Sequence, residues 1–307
     1  MKGKYHILLP LLTLAAGAAG FALRRWQLAT ALNMETQLFD LRAPASIVLI
    51  LLAAAFAALI PALCRGGGKL AGYEAAFRFP GSTATVMVVV LAAFLMIGMG
   101  AVCAREGYTQ YLIWANDYHV PKRHQFPMVI LLLTALFPVA GTSIFMLGKD
   151  GYRGTYSNLM GTLSTLPVFC ALAWLLYVYQ RHGVDPVIMH YIWGLLAAVC
   201  TVLALYFGCC FAFDRIKPRR TLTLSLMGVF FHCITLADFE SVEIRCAAVI
   251  FSIVLMAQAV VLIRNWLGPA WPKRLLEQGG RMPLAGGMEE KDVQPDAMQD
   301  PMEQSGG

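Results

Sequence analysis

The sequence predicts an all-α membrane protein: a polytopic transmembrane helical bundle of about eight spans, with both termini cytoplasmic. Three observations predict it. The 307 residues are 58% hydrophobic and only 14% charged, against roughly 25% charged in an average soluble domain, so most of the outer surface must face lipid. Apolar stretches close to the length of a membrane-crossing helix recur along nearly the whole chain. Basic residues stand at the ends of those stretches, where orientation in a bilayer requires them.

The stretches run from His6 to Leu23, Ala45 to Cys64, Thr85 to Cys103, Pro127 to Leu147, Leu159 to Tyr179, Val187 to Phe213, Thr221 to Ala237 and Cys246 to Trp266. In hydrocarbon each must satisfy its backbone internally, so each is read as a helix. None alternates polar and apolar residues as a barrel strand does. The start resembles a signal peptide in having Lys2 and Lys4 before an apolar run and small residues from Ala15 to Gly20. Arg24 and Arg25 follow at once and seven further spans come after, so this first helix is expected to be retained.

With the N-terminus inside, 16 of the 24 Lys and Arg residues fall in inner loops and 8 in outer ones. That asymmetry places both termini in the cytoplasm, and the loop from Asp214 to Arg220 is its clearest single signal. Residues 1–268 therefore form the transmembrane domain. Residues 269–307 carry no apolar period and are rich in Gly, Pro, Met, Gln, Asp and Glu, the composition of a disordered cytoplasmic tail.

Several function classes are excluded or disfavoured. The net charge of +6 forms no basic stripe, so no nucleic-acid partner is expected. The eight cysteines include no C-x-x-C pair and no spaced ligand set, so neither a metal nor another cofactor is expected. The motifs of a membrane zinc protease, a phosphate-binding loop and a nucleophile elbow are absent, and no catalytic residue is assigned. No Asp, Glu, Lys or Arg lies mid-span, which weighs against an ion-coupled pump of the usual kind.

Three places break the apolar pattern. The outer loop from Arg105 to Phe126 holds Tyr111, Trp114, Asp117, Tyr118 and His119, and other outer loops supply Trp26, Asp238 and Glu240. Aromatic faces beside carboxylates suit a cationic or sugar-like ligand; the same aromatics equally suit an interfacial belt. The fourth and fifth spans bring Pro138, Gly141, Thr142 and Ser143 to the depth of Thr162, Ser164, Thr165 and Pro167. This is a pattern of either a broken-helix ligand site or close helix packing. His232, with Gln258 and His190, supplies polar groups deep in the remaining helices.

The segment from Leu23 to Leu32 (LRRWQLATAL), followed by Glu35-Thr36 and Ala43-Pro44, resembles the first loop of multi-pass proteins of clostridial, gut-type bacteria that have no assigned activity. That resemblance implies a bacterial inner membrane and no site residue. The leading expectation is a transporter or permease component, or a small-ligand-binding membrane protein. A non-catalytic scaffold that binds a protein partner through its C-terminal tail is the alternative. A membrane enzyme acting on lipid or cell-envelope precursors, through Asp117, His119 and His124, is the second alternative. In each, the lipid bilayer is a partner.

Overall fold

The computed structural model describes residues 5–32, 38–65, 70, 72–116, 126–154, 156–182, 187, 190–238 and 241–268. Among them run nine α-helices: α1 (Tyr5–Thr30), α2 (Pro44–Leu63), α3 (Tyr73–Phe77), α4 (Thr83–Ala115), α5 (Met128–Arg153), α6 (Met160–His182), α7 (Ile192–Cys209), α8 (Pro218–Thr235) and α9 (Val242–Trp266). A 3-10 turn, Cys210–Phe213, prolongs α7. The described residues hold no strand, only an isolated bridge between Leu32 and Phe39. Seven helices (α1, α2, α4, α5, α6, α7 and α9) are long and apolar enough to cross a membrane. The chain is therefore an all-helical, multi-pass membrane protein.

The eighth long helix, α8, is of a different kind. It carries Arg219, Arg220 and His232 and is too polar on average to meet the same standard. It packs against α1, α2, α7 and α9, and 12 of its 18 residues are buried, against 6 of 20 on the highly apolar α2. A helix wrapped by other helices needs no lipid-soluble surface, because its polar groups find partners within the protein. The Thr221, Ser225 and Thr235 hydroxyls each donate to a carbonyl four residues back.

Two boundaries differ from the sequence expectation. α1 continues past Leu23 to Thr30, so Arg24 is a buried helical residue instead of a loop charge. It can stay in the helix because a carboxylate from another helix end meets it. α4 continues past Cys103 to Ala115, so the first half of the expected outer loop is helical. Gly107 there lets α5 approach, since a Cβ at that position would lie 3.0 Å from Leu131. Residues 117–125 and 269–307 lie outside the described residues, as do Glu35, Asp117, Tyr118, His119, His124 and Glu240.

Small residues set the closest helix pairs. A Cβ on Gly100 would lie 2.6 Å from the Pro138 ring, and one on Gly141 2.7 Å from the Ala93 carbonyl, which locks α4 onto α5. Gly17 and Gly20 seat α1 against Cys233 and Ile234 of α8 in the same way. Two apolar cores result. One is built mainly from α4, α5, α6 and the first half of α9, the other from α1, α2, α7, α8 and the last turns of α9. The helices alternate in direction, giving the bundle an α3 end and a far end, the latter holding the α1–α2 and α8–α9 turns.

Candidate functional site

At the α3 end a cavity of about 130 Å³ lies among α4, α5, α6, α7 and α9. Ala92, Gly148, Pro167, Gly208 and Ala257 reach the same level from five helices, and these short or side-chain-less residues leave the space that Leu or Phe would fill. Val89, Ile144, Leu205 and Val254 make its wall apolar. The polar groups are few. Gln258 Nε2 donates to the Ala204 carbonyl at 3.1 Å, and Ser164 donates to the Gly161 carbonyl at 2.8 Å with Cys209 Sγ 3.4 Å away. An apolar chamber with a small number of placed polar groups is the general form of a ligand site.

The cover of this chamber is α3 and its flanks. Tyr73, Phe77 and Phe79 line the cavity. The Tyr73 ring packs 4.7 Å from Phe77 and edge-on, 5.4 Å, to Tyr156; Phe77 meets Phe211 at 5.4 Å. Asn265 at the end of α9 donates to the carbonyls of Ala76 (2.8 Å) and Arg78 (2.7 Å), and the Phe79 amide donates to the Gly151 carbonyl at 3.1 Å. α5 ends at Gly154, whose φ of +72° places it in the left-handed region that terminates helices. A Cβ there would also run into the Arg78 guanidinium. Burial pushes the Tyr73 and Tyr156 hydroxyls well above the usual tyrosine range, and the Asp150 carboxylate adds to both.

The far end is closed by charge. Arg24, 1% exposed, donates from Nε to Asp238 Oδ1 at 2.7 Å, from Nη1 to Gln27 Oε1 at 2.7 Å and from Nη2 to the His190 carbonyl at 3.4 Å. Its guanidinium lies 5.0 Å from the Phe39 ring centroid. Gln27 carries the chain on to Ser46 Oγ (3.0 Å), which donates to the Asp40 carbonyl at 2.8 Å. One turn later in the chain, buried Glu243 accepts from the hydroxyls of Ser241 and Tyr177, the latter at 3.1 Å. Arg181 Nη1 lies 3.4 Å from Glu243 and 3.5 Å from Glu106, joining α4 and α6 to the start of α9. Asp238 in the α8–α9 turn thus holds α1 directly and α2 through Gln27, and Glu243 in the first turn of α9 holds α6 directly and α4 through Arg181.

His232 and Asp238, assigned from sequence to separate places, line one small cavity of about 10 Å³ with Trp174 and Tyr191, roughly the room for a single water. Thr201 donates to the Ala197 carbonyl at 2.8 Å and lies 2.8 Å from His232 Nε2. The hydroxyl has one hydrogen, so with that hydrogen on the carbonyl, Nε2 carries the proton. Trp26 points outward, 45% exposed. Tyr111 and Trp114 pack on each other at 5.9 Å and against Phe126. Thr142, Ser143 and Thr165 each donate to a carbonyl three residues back, and Thr162 is exposed; of that junction, Ser164 and Pro167 reach the 130 Å³ cavity. Among the described residues no three His, Cys, Asp or Glu side chains converge as metal ligands do.

Sequence reading missed Arg24, Gln27, Glu106, Tyr177, Arg181 and Glu243 as a connected set. The spacing of Arg24 and Gln27, three apart on one helical face, was the signal available for the first pair. No protein-family model, curated protein or solved structure matches this chain.

Proposed function

We propose that this chain is a small-ligand-binding membrane protein of the transporter or permease-component type, and that the α3-end cavity takes the ligand. The observation that carries the reading is the chamber itself, with its apolar wall, the Gln258 amide and Ser164 hydroxyl within it, and a five-residue helix as its cover. A cavity of this size accepts about one aromatic ring or the end of a hydrocarbon chain. The ligand is therefore small and apolar, or presents an apolar tip. The two-to-one excess of basic residues supports the α3 end and both termini on the cytoplasmic side of a bacterial inner membrane, with α8 as an eighth span.

The test is thermal unfolding of the full chain in detergent with benzene as the probe. Benzene raises the midpoint of the wild type, and Ala257→Phe, which places a ring in the chamber, abolishes that rise. An equal rise in both proteins refutes the site.

One observation favours the scaffold reading. The far-end network fixes five helix ends, as suits a subunit that holds its shape for a partner. Deletion of residues 269–307 tests it: a partner that co-purifies with the full chain and is lost with the deletion supports the scaffold role, and unchanged co-purification removes the tail from it.

A further inference from the structure

On the outer side of the chamber wall lies a second hollow, a groove of about 340 Å³ between the start of α4 and the end of α5. Val86, Val90 and Phe145 make its floor, and Thr83, Lys149 and Tyr152 line it as well. Val89 and Gly148 line both this groove and the 130 Å³ chamber. The partition between the two is therefore one contact thick. Gly148 has no side chain to thicken it, and a Cβ there would already lie 2.5 Å from Val89 Cγ1.

Both helices belong to the set that is apolar and long enough to cross a membrane, so a hollow on their outer face borders acyl chains. Its lining includes an exposed Lys149 and the hydroxyl-bearing residues Tyr152 and Thr83. The neighbouring Asp150 carboxylate accepts from the Ser157 amide at 3.4 Å, which turns it toward the α5–α6 turn. A cation with hydroxyl donors above an apolar trough complements a phosphate ester that carries a hydrocarbon chain.

We propose that the groove binds an anionic phospholipid. Its headgroup phosphate rests at Lys149 and one acyl chain lies along Val86, Val90 and Phe145. The chain tip enters the chamber where the Val89 side chain swings off Gly148, so the apolar ligand of that chamber is the tip of a bilayer lipid entering sideways. This rests on the chamber being a ligand site, and it adds the class of ligand and the route.

The experiment titrates the detergent-purified full chain with phosphatidylglycerol or phosphatidylcholine of identical chains and reads bound lipid by native mass spectrometry. The wild type prefers phosphatidylglycerol by about fivefold, the worth of one lysine near an anionic headgroup. Lys149→Ala, an exposed change that leaves the fold intact, brings the ratio to about one. Ala257→Phe, or Ala257→Leu if the phenylalanine variant does not fold, lowers binding of both lipids and keeps the preference. Equal binding of the two lipids by the wild type, a preference that survives Lys149→Ala, or competition by inorganic phosphate alone overturns the lipid assignment. Undiminished lipid binding in both Ala257 variants overturns the sideways entry. No benzene-induced rise in the wild type, or an equal rise in Ala257→Phe, would instead remove the chamber reading, so the two failures are told apart.

Discussion

The far end and the α3 end of this bundle close by opposite means. At the far end two buried carboxylates, Asp238 just after α8 and Glu243 in the first turn of α9, meet side chains from α1 and α6 through bonds of fixed direction, and Gln27 and Arg181 extend those contacts to α2 and α4. At the α3 end a short helix is held by tilted and edge-on ring contacts and by one amide side chain gripping two carbonyls. Directional, desolvated bonds specify a single arrangement, because each broken one leaves a buried polar group without its partner. Ring contacts tolerate sliding, and a cover of five residues adds few contacts of its own. The chamber lies under the end held by the less directional contacts.

Breaking the far-end clamp should have the largest effect. Asp238→Ala leaves the Arg24 charge buried and is expected to cost about 3–5 kcal/mol, seen as a large fall in the detergent unfolding midpoint. Combining Arg24→Met with Asp238→Leu should recover most of that loss, since the cost lies in the orphaned charge and not in the missing attraction. If the double variant is as unstable as the single, the clamp contributes more than charge compensation. Asn265→Leu attacks the other end. It removes two hydrogen bonds to carbonyls, for about 1–3 kcal/mol, and should accelerate amide exchange in residues 74–79 while residues 234–238 keep their protection.

Alkaline pH separates the ends without mutation. Tyr73 and Tyr156 have hydroxyl pKa values raised in the folded state, so they contribute stability that is complete below the unfolded tyrosine value of about 10. That contribution is lost as pH rises above it, because the unfolded chain gives up its protons first. Raising the pH through this window should loosen the α3 end, monitored by phenolate absorbance and by exchange at residues 74–79. Tyr73→Phe keeps the ring, should alter stability by less than about 1 kcal/mol, and should weaken the pH response. A Tyr73→Phe protein with an unchanged alkaline transition would show that the tyrosine cover is not what fails.

How much of this was legible follows from what lipid demands. The lipid-facing helices announce themselves: α2 is apolar around its whole circumference because most of it is exposed to lipid. The stretch from Thr221 to Ala237 also read as a span, but α8 is too polar on average to cross by composition alone, and its polarity is met by the helices that surround it. Arg24 read as a loop charge for the same reason, since its partner lies 214 residues away and no local pattern points to Asp238. The Pro167 and Ser164 signal was present in sequence. The chamber they border was not, because it exists only where small residues from five helices arrive at one depth. Asp238 and His232 were both visible as polar interruptions, and only folding places them on one small cavity.

The contrast between the ends is tested most directly by hydrogen exchange on the full chain in detergent, with and without benzene, comparing residues 74–79 with residues 234–238. Exchange should be faster at residues 74–79 and should slow there on adding benzene, while residues 234–238, whose amides are hydrogen-bonded at the end of α8, stay protected and unchanged. Equal protection at both ends together with no response to benzene would contradict a movable cover over a ligand chamber.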